Sequence, residues 1–300
     1  MLSLRLIVIP IGVACNLHCK YCLRDNGKTR VEGFNDMMRE FFVTLNPQKT
    51  EMVIFSGGEP LLYWKKLKEA IEYIPENIQI RITSNGTLLT DDMVEYINKR
   101  NILFALSWDG KKATEFLRGV DVLKDPILVE RFKRIHWLNI LSVITNRNPD
   151  VFEIYKDIKE IFGEKTVGYR YGVITRTPFN SWLLDNFDTV KFLTSVREYR
   201  KNVPWAHIET KNYARERNEG LNILPNGDVV SNTDITHKYG TIENTLDEIL
   251  EAKRLMGDYS KCLNDKCIVA DRCELQSQFA DPLRCELYRL DWFMRMQNRV

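Results

Sequence analysis

The chain has 300 residues, 44% of them hydrophobic, with 43 Lys plus Arg set against 41 Asp plus Glu. That length and apolar fraction suffice for one large core, or for a large and a small one. A formal net charge of +2 excludes the strongly basic balance of a nucleic-acid binder, and no run approaches the roughly eighteen consecutive apolar residues of a membrane-spanning helix.

Apolar, β-branched runs alternate with helical patterns, as in βα units that feed a parallel sheet. Strands are predicted at Leu4–Ile11, Glu51–Ser56, Gln79–Ser84, Ile102–Ser107, Leu138–Thr145 and Thr166–Ile174. Helices are predicted at about Asn35–Leu45, Leu61–Ile74, Thr90–Arg100, Pro126–Arg134 and Pro149–Phe162. Thr90 caps the third helix ahead of Asp91 and Asp92, and Asn148 caps the fifth with Pro149 in its first turn. Six such units are fewer than the eight of a closed barrel, so right-handed crossovers curl them into a partial (β/α)6 TIM-like barrel. A doubly wound open sheet is the alternative. Polar residues at the strand ends, Cys15, Ser56, Asn85, Ser107 and Asn146, favour the barrel, whose active groups collect at its C-terminal rim.

A helix near Asp188–Asn202 ends before Pro204. Leu221–Leu224 and Asp228–Val230 then flank Pro225-Asn226-Gly227, a hairpin signal. An amphipathic helix at about Asn244–Met256 places Leu246, Ile249, Leu250 and Leu255 at helical spacing. We therefore divide the chain near residue 205, into a barrel (1–205) and a small hairpin-and-helix unit (206–300). No internal repeat beyond the βα period appears, and no low-complexity segment.

Seven cysteines fall into two groups. Cys15, Cys19 and Cys22 form C-x3-C-x2-C directly after the first strand. Three thiolates on a [4Fe–4S] cube leave one iron open to a small exchangeable ligand. A zinc site, which favours C-x2-C pairs and a fourth ligand, or a disulfide with a spare thiol, are the other readings; His18 inside the loop is a further donor. Cys262, Cys267, Cys273 and Cys285 follow C-x4-C-x5-C-x11-C and can close a second cube or hold one structural zinc. A disulfide framework is the weaker alternative in so long a chain. Arg5 and Pro10 interrupt the first apolar run, so no secretory signal opens the chain, and a reduced, cytoplasmic protein is expected.

Together the motifs resemble those of the radical S-adenosylmethionine (SAM) enzymes. Gly57-Gly58-Glu59-Pro60 after the second strand is similar to that family's glycine-rich motif. Ile82–Leu89, reading ITSNGTLL, looks like its third-strand end, and Ser107-Trp108-Asp109-Gly110 resembles its fourth-strand S-x-D-G. The resemblance covers residues 1 to about 175. It implies that the open iron takes the amino nitrogen and carboxylate oxygen of SAM. Gly57 and Gly58, without Cβ atoms, would admit the amino group and Glu59 would accept a charge-assisted bond from it. Tyr21 would lie near the adenine, and Ser84, Asn85, Ser107 and Asp109 would meet the carboxylate and the ribose hydroxyls. Taken singly, Gly57-Gly58 reads as a turn, and Ser107 or Asp109 as a cap or loop acid. The implied reaction is reductive cleavage of SAM to a 5′-deoxyadenosyl radical, which abstracts hydrogen from a substrate carbon. Flavodoxin or ferredoxin would supply the electron.

The tail resembles the SPASM and twitch extensions of that superfamily, which begin with a hairpin and a helix and carry auxiliary clusters. It departs from SPASM, which has a cysteine where this chain reads Val230-Ser231-Asn232-Thr233, and whose later cysteines follow C-x2-C-x5-C-x3-C. Its cysteines suffice for one auxiliary [4Fe–4S] cluster, held by all four or by three with an open site. The resemblance implies oxidative modification or crosslinking of a ribosomally made peptide. Small-molecule dehydrogenation and sulfatase-maturase-like oxidation are its rivals, and a non-catalytic zinc-stabilised protein is the alternative from a different class. With the first strand at about residue 4, leader-peptide recognition would fall to a separate protein or to direct docking. Epimerisation is disfavoured, because it needs a thiol and both clusters together claim all seven. His207, Glu209 and Asp281 are candidate general bases, although loop groups of this kind are ordinarily solvated. Arg170 on the sixth strand would hold a substrate carboxylate if it points inward, against the default of a surface or core-lid role.

Overall fold

The computed structural model describes residues 6–12, 14–22, 36–48, 50–174, 180–203, 220–223, 228–231, 238–241, 243–244 and 248. Six strands run parallel in chain order: β1 (Leu6–Pro10), β2 (Met52–Ser56), β3 (Gln79–Ser84), β4 (Leu103–Ser107), β5 (Leu138–Ile144) and β6 (Gly168–Val173). Between them lie α1 (Asp36–Val43), α2 (Trp64–Glu72), α3 (Asp91–Lys99), α4 (Thr114–Arg118), α5 (Pro126–Arg134) and α6 (Val151–Phe162), and α7 (Thr189–Asn202) follows. Among the described residues the sheet does not close on itself, as expected of a partial barrel.

Apolar stripes lay the helices on this sheet. α2 buries Leu67, Ala70 and Ile71, α3 buries Met93, Val94 and Ile97, and α6 buries Val151, Ile154, Ile158 and Phe162. They meet Phe55, Ile82, Phe104 and Leu106 from the strands in one continuous core. Alternation along β5 buries every second residue, including Leu138, Ile140, Ser142 and Ile144. No described helix is long and apolar enough to cross a membrane.

Helix starts follow their caps. Thr90 Oγ1 accepts from Met93 N at 3.3 Å, as expected. Asn148 does not cap α6: Asp150 does, accepting from Glu153 N at 2.9 Å. Asn148 turns inward instead, its Oδ1 accepting from Thr145 N and Oγ1 at 2.8 Å each. Its Nδ2 donates to Val143 O at 2.9 Å and Asp109 O at 3.0 Å. The side chain closes the turn after β5 and braces it against the turn after β4, which displaces the helix start by two residues. The predicted helix at Leu61–Ile74 begins as a single 3-10 turn, Pro60–Tyr63, capped by Glu59.

The hairpin signal around Asn226-Gly227 is met by β7 (Gly220–Ile223) and β8 (Asp228–Ser231), antiparallel, with β9 (Lys238–Thr241) beyond. β7 also pairs in parallel with β1, Leu6 opposite Gly220, so one sheet of order β6-β5-β4-β3-β2-β1-β7-β8-β9 runs across the boundary placed near residue 205. The amphipathic helix expected at Asn244–Met256 lies almost wholly outside the described residues.

Candidate functional site

Parallel register brings the ends of β1 to β4 side by side, so the segments just past Pro10, Ser56, Ser84 and Ser107 share one rim. There the cysteine loop and the glycine loop form a single hydrogen-bonded unit. Gly58 N donates to Gly12 O at 2.9 Å, Glu59 N to Ala14 O at 2.8 Å, and Ala14 N to the Tyr63 hydroxyl at 3.0 Å. The crossing leaves no room for side chains. Gly57 has φ +137°, and a Cβ there would stand 2.3 Å from Gly12 O. Only glycine combines that backbone angle with so close an approach.

Cys15 and Cys19 are half-buried and Cys22 is exposed; all three are free thiols. Cys22 N bonds back to Cys19 O at 3.0 Å, and Lys20 N donates to Leu117 O at 2.8 Å, pinning the loop to α4. Cys19 packs against an apolar group that includes Tyr21, Leu117 and Leu183. Burial pushes the Cys19 thiol up to about 11, with the Arg118 charge opposing; burial also raises Cys15. Thiolates at such positions need a cationic partner. Among the described residues no three His, Cys, Asp or Glu side chains converge as one ion requires. The donor set fits a cube: three thiols on one loop can each bind a different iron and leave the fourth iron open.

Glu59 is 1% exposed. Its Oε1 accepts from Leu61 N at 3.0 Å and Ser84 Oγ at 2.7 Å, and its Oε2 from Asn85 N at 2.8 Å. Burial pushes its carboxyl above the ordinary range, and these donors pull it back. Asn85 reaches the cysteine loop: its Nδ2 donates to Asn16 Oδ1 at 3.0 Å and lies 3.8 Å from Cys15 Sγ. Thr87 completes this link, accepting from Asn16 Nδ2 at 2.7 Å and donating to Asn85 Oδ1 at 2.7 Å.

Asp109 is fully buried at the end of β4. Its carboxylate accepts from the Tyr21 hydroxyl at 2.6 Å, Arg118 Nε at 2.7 Å and Val143 N at 2.8 Å. The Arg118 guanidinium also lies 5.3 Å from the Tyr21 ring centre. Burial, with the Asp109 charge beside it, drives the Tyr21 phenol well above its usual range, so it remains a donor. This triad ties the third-cysteine end of the loop to β4, β5 and α4.

Of the residues predicted from sequence, the rim gathers Cys15, Cys19, Cys22, Tyr21, Gly57, Gly58, Glu59, Ser84, Asn85 and Asp109. Ser107 ends β4 half-buried beside them, opposite Leu141. Arg170 sits on β6, partly buried. His207, Glu209, Asp281, Cys262, Cys267, Cys273 and Cys285 lie outside the described residues. Arg118, Asn16 and Thr87 escaped the sequence reading. Arg118 had a signal: it immediately precedes Gly119, whose φ of +84° ends α4, and a buried Asp after a strand calls for a cation nearby.

The fold and rim define a class: a partial-barrel α/β protein whose strand-end loops present three thiols beside a backbone-only glycine crossing. Residues 9–118 match the profile of the radical SAM superfamily. It is 25% identical over 180 residues to uncharacterized protein MJ0907 of Methanocaldococcus jannaschii, covering 56% of this chain and 62% of that one. It is 32% identical over 183 residues to the cysteine-type anaerobic sulfatase-maturating enzyme of Clostridium perfringens, covering 53% of this chain and 50% of that enzyme. The matched sequence thus spans half to about three fifths of these relatives. Among solved structures, native anSMEcpe with bound AdoMet superposes with a TM-score of 0.72 at 19% identity, over 98% of this chain and 97% of that one. Streptococcus suis SuiB bound to precursor peptide SuiA gives 0.65 at 17%, over 91% and 72%. At these identities the likeness establishes the shared fold.

Proposed function

We propose that this chain is a radical SAM enzyme that oxidatively modifies or crosslinks a ribosomally made peptide. One observation carries the reading: the three-thiol loop and the Gly57 crossing are joined by main-chain hydrogen bonds at adjacent strand ends. Cys15, Cys19 and Cys22 would hold a [4Fe–4S] cluster with an open iron for SAM. When bound, the pair supplies a 5′-deoxyadenosyl radical that takes hydrogen from a substrate carbon.

The chain's own residues position and shield that chemistry. An ionised carboxylate has about four acceptor sites; Glu59 fills three with Leu61, Ser84 and Asn85, leaving one for the SAM ammonium. Asp109 is occupied by Tyr21, Arg118 and Val143, so we assign it to holding the loop. The half-buried Ser107 hydroxyl remains to meet the ribose. Asn85 orients Cys15 through its amide.

A peptide substrate is supported by the sulfatase-maturating relatives and by the fold shared with SuiB, which binds a precursor peptide. We assign Cys262, Cys267, Cys273 and Cys285 to one auxiliary [4Fe–4S] cluster, which they would hold and which would supply an acceptor for the leftover electron. His207, Glu209 and Asp281 are the accompanying candidate bases, and leader recognition falls to a separate protein or to direct docking. A thiolate-rich chain of this kind belongs in a reducing cytoplasm.

The test is iron and sulfide content after anaerobic reconstitution, with 5′-deoxyadenosine assayed under dithionite, for the parent and C15A/C19A/C22A. About eight irons in the parent, about four in the variant and nucleoside from the parent alone are expected. Zinc in place of iron, or nucleoside from the triple variant, would overturn it. Loss of two hydrogens from a co-expressed peptide separates peptide oxidation from small-molecule dehydrogenation.

A further inference from the structure

We propose that an exposed face built from Lys20, Phe116, Arg147 and Trp182 docks a small acidic electron-transfer protein that reduces the cluster. The proposal rests on the radical SAM reading and adds the place where the electron enters. Four separate segments converge here: the cysteine loop, α4, the turn after β5 and the 3-10 turn Ser181–Leu184. The Phe116 ring is 43% exposed and meets Trp182, 37% exposed, edge-on at 6.2 Å. Lys20 Nζ lies 5.1 Å from the Phe116 ring centre and the Arg147 guanidinium 4.9 Å. Asn146 fixes the arrangement, its Nδ2 donating to Trp182 O at 3.0 Å and Asp185 O at 2.9 Å.

The charges on this face differ from their neighbours. Lys111 pairs with Glu160 at 2.7 Å, Lys112 with Glu153, Lys124 with Glu115, and Arg118 with Asp109. Lys20 and Arg147 pair with no carboxylate among the described residues; both rest on the same exposed aromatic ring. Two cations without a carboxylate partner among the described residues, set around an apolar centre, complement a carboxylate-rich partner, and such complementarity acts mainly on encounter rate and orientation. Weak redox complexes use small interfaces of this kind.

Position selects the occupant. Lys20 lies between Cys19 and Cys22, Cys22 is the exposed thiol of the three, and the Lys20–Leu117 main-chain bond joins the loop to the helix that carries Phe116. A partner seated here therefore rests against the cluster's own loop. One electron leaves the carrier's reduced flavin and enters the cluster, and no bond or proton is exchanged.

The probe is a bacterial flavodoxin kept reduced by its NADPH-dependent reductase, titrated against the reconstituted full-length enzyme. For K20A/R147A the half-saturating flavodoxin concentration should rise roughly tenfold and lose most of its salt dependence. R147A alone, outside the loop, should give roughly threefold. Iron content and dithionite-driven 5′-deoxyadenosine formation should not change. Unchanged flavodoxin dependence overturns the proposal, as does an equal loss of the dithionite-driven reaction, which would place the two residues in the catalytic site. Surface plasmon resonance with immobilised flavodoxin reads the same contact without turnover. If the parent makes no nucleoside even with dithionite, the enzymatic reading fails, and parent binding equal to that of K20A/R147A then removes the docking face as well.

Discussion

Glu59 and Asp109 stand at strand ends of one rim with almost no exposed surface, and they are held in opposite ways. Glu59 is met by neutral donors, two main-chain amides and a hydroxyl. Asp109 is met by a buried guanidinium and a phenol. The first arrangement binds one loop to its neighbour and leaves an acceptor site spare. The second commits two charges to each other, so neither can be removed alone without stranding the other.

The largest effect should come from breaking the charged arrangement. D109A leaves Arg118 buried without its anion and should cost about 3–5 kcal/mol in chemical denaturation. D109N/R118M, which removes both charges, should recover more than half of that loss; a double variant no better than the single would show that the pair is not the unit. The glycines give a second contrast. G57A forces a Cβ against Gly12 O in a positive-φ backbone and should cost about 2–4 kcal/mol and release iron. G119A, at φ +84° with nothing within 4 Å, should cost about 1 kcal/mol and retain iron.

E59Q should be milder, about 1–3 kcal/mol, because one buried amide loses its acceptor. Its pH dependence sharpens the contrast. The folded Glu59 carboxyl titrates above its ordinary 4.5, so its contribution is fully present below that value and is lost as pH rises through the raised one. Melts of the cluster-free protein should therefore show the penalty of E59Q shrinking as pH rises above 4.5. The smallest effect is expected from D125A, far from the rim. It removes the α5 cap to Ile127 N and Leu128 N, at about 1 kcal/mol, with iron content unchanged.

Much of the barrel was legible because its period and punctuation agree. β3 and α5 have the predicted bounds, since alternation fixes the strand and Asp125-Pro126 marks the helix start. α4 was missed because five residues are too few to show a period. Asn148 misled because an Asn before Pro carries the same cap signal whether it caps a helix or closes the preceding turn. The pairing of β7 with β1 was invisible locally, since nothing in Gly220–Ile223 names a partner so remote. At the site, the thiols, glycines and rim acids could be found by motif. What those acids touch could not, because Arg118 and Val143 reach Asp109 only through the fold.

That remote pairing bears on how the chain folds as it is made. Leu6 and its partner Gly220 are 214 residues apart. At roughly 5–20 residues per second, on the order of ten to forty seconds separate their emergence from the ribosome. During that time β1, paired to β2 on one side, presents its other row of amides and carbonyls unpaired, as a template for any extended segment nearby. β7, synthesised long after β1, thus acts as the seal on it, and premature termination before residue 220 would yield chains with an open, sticky edge.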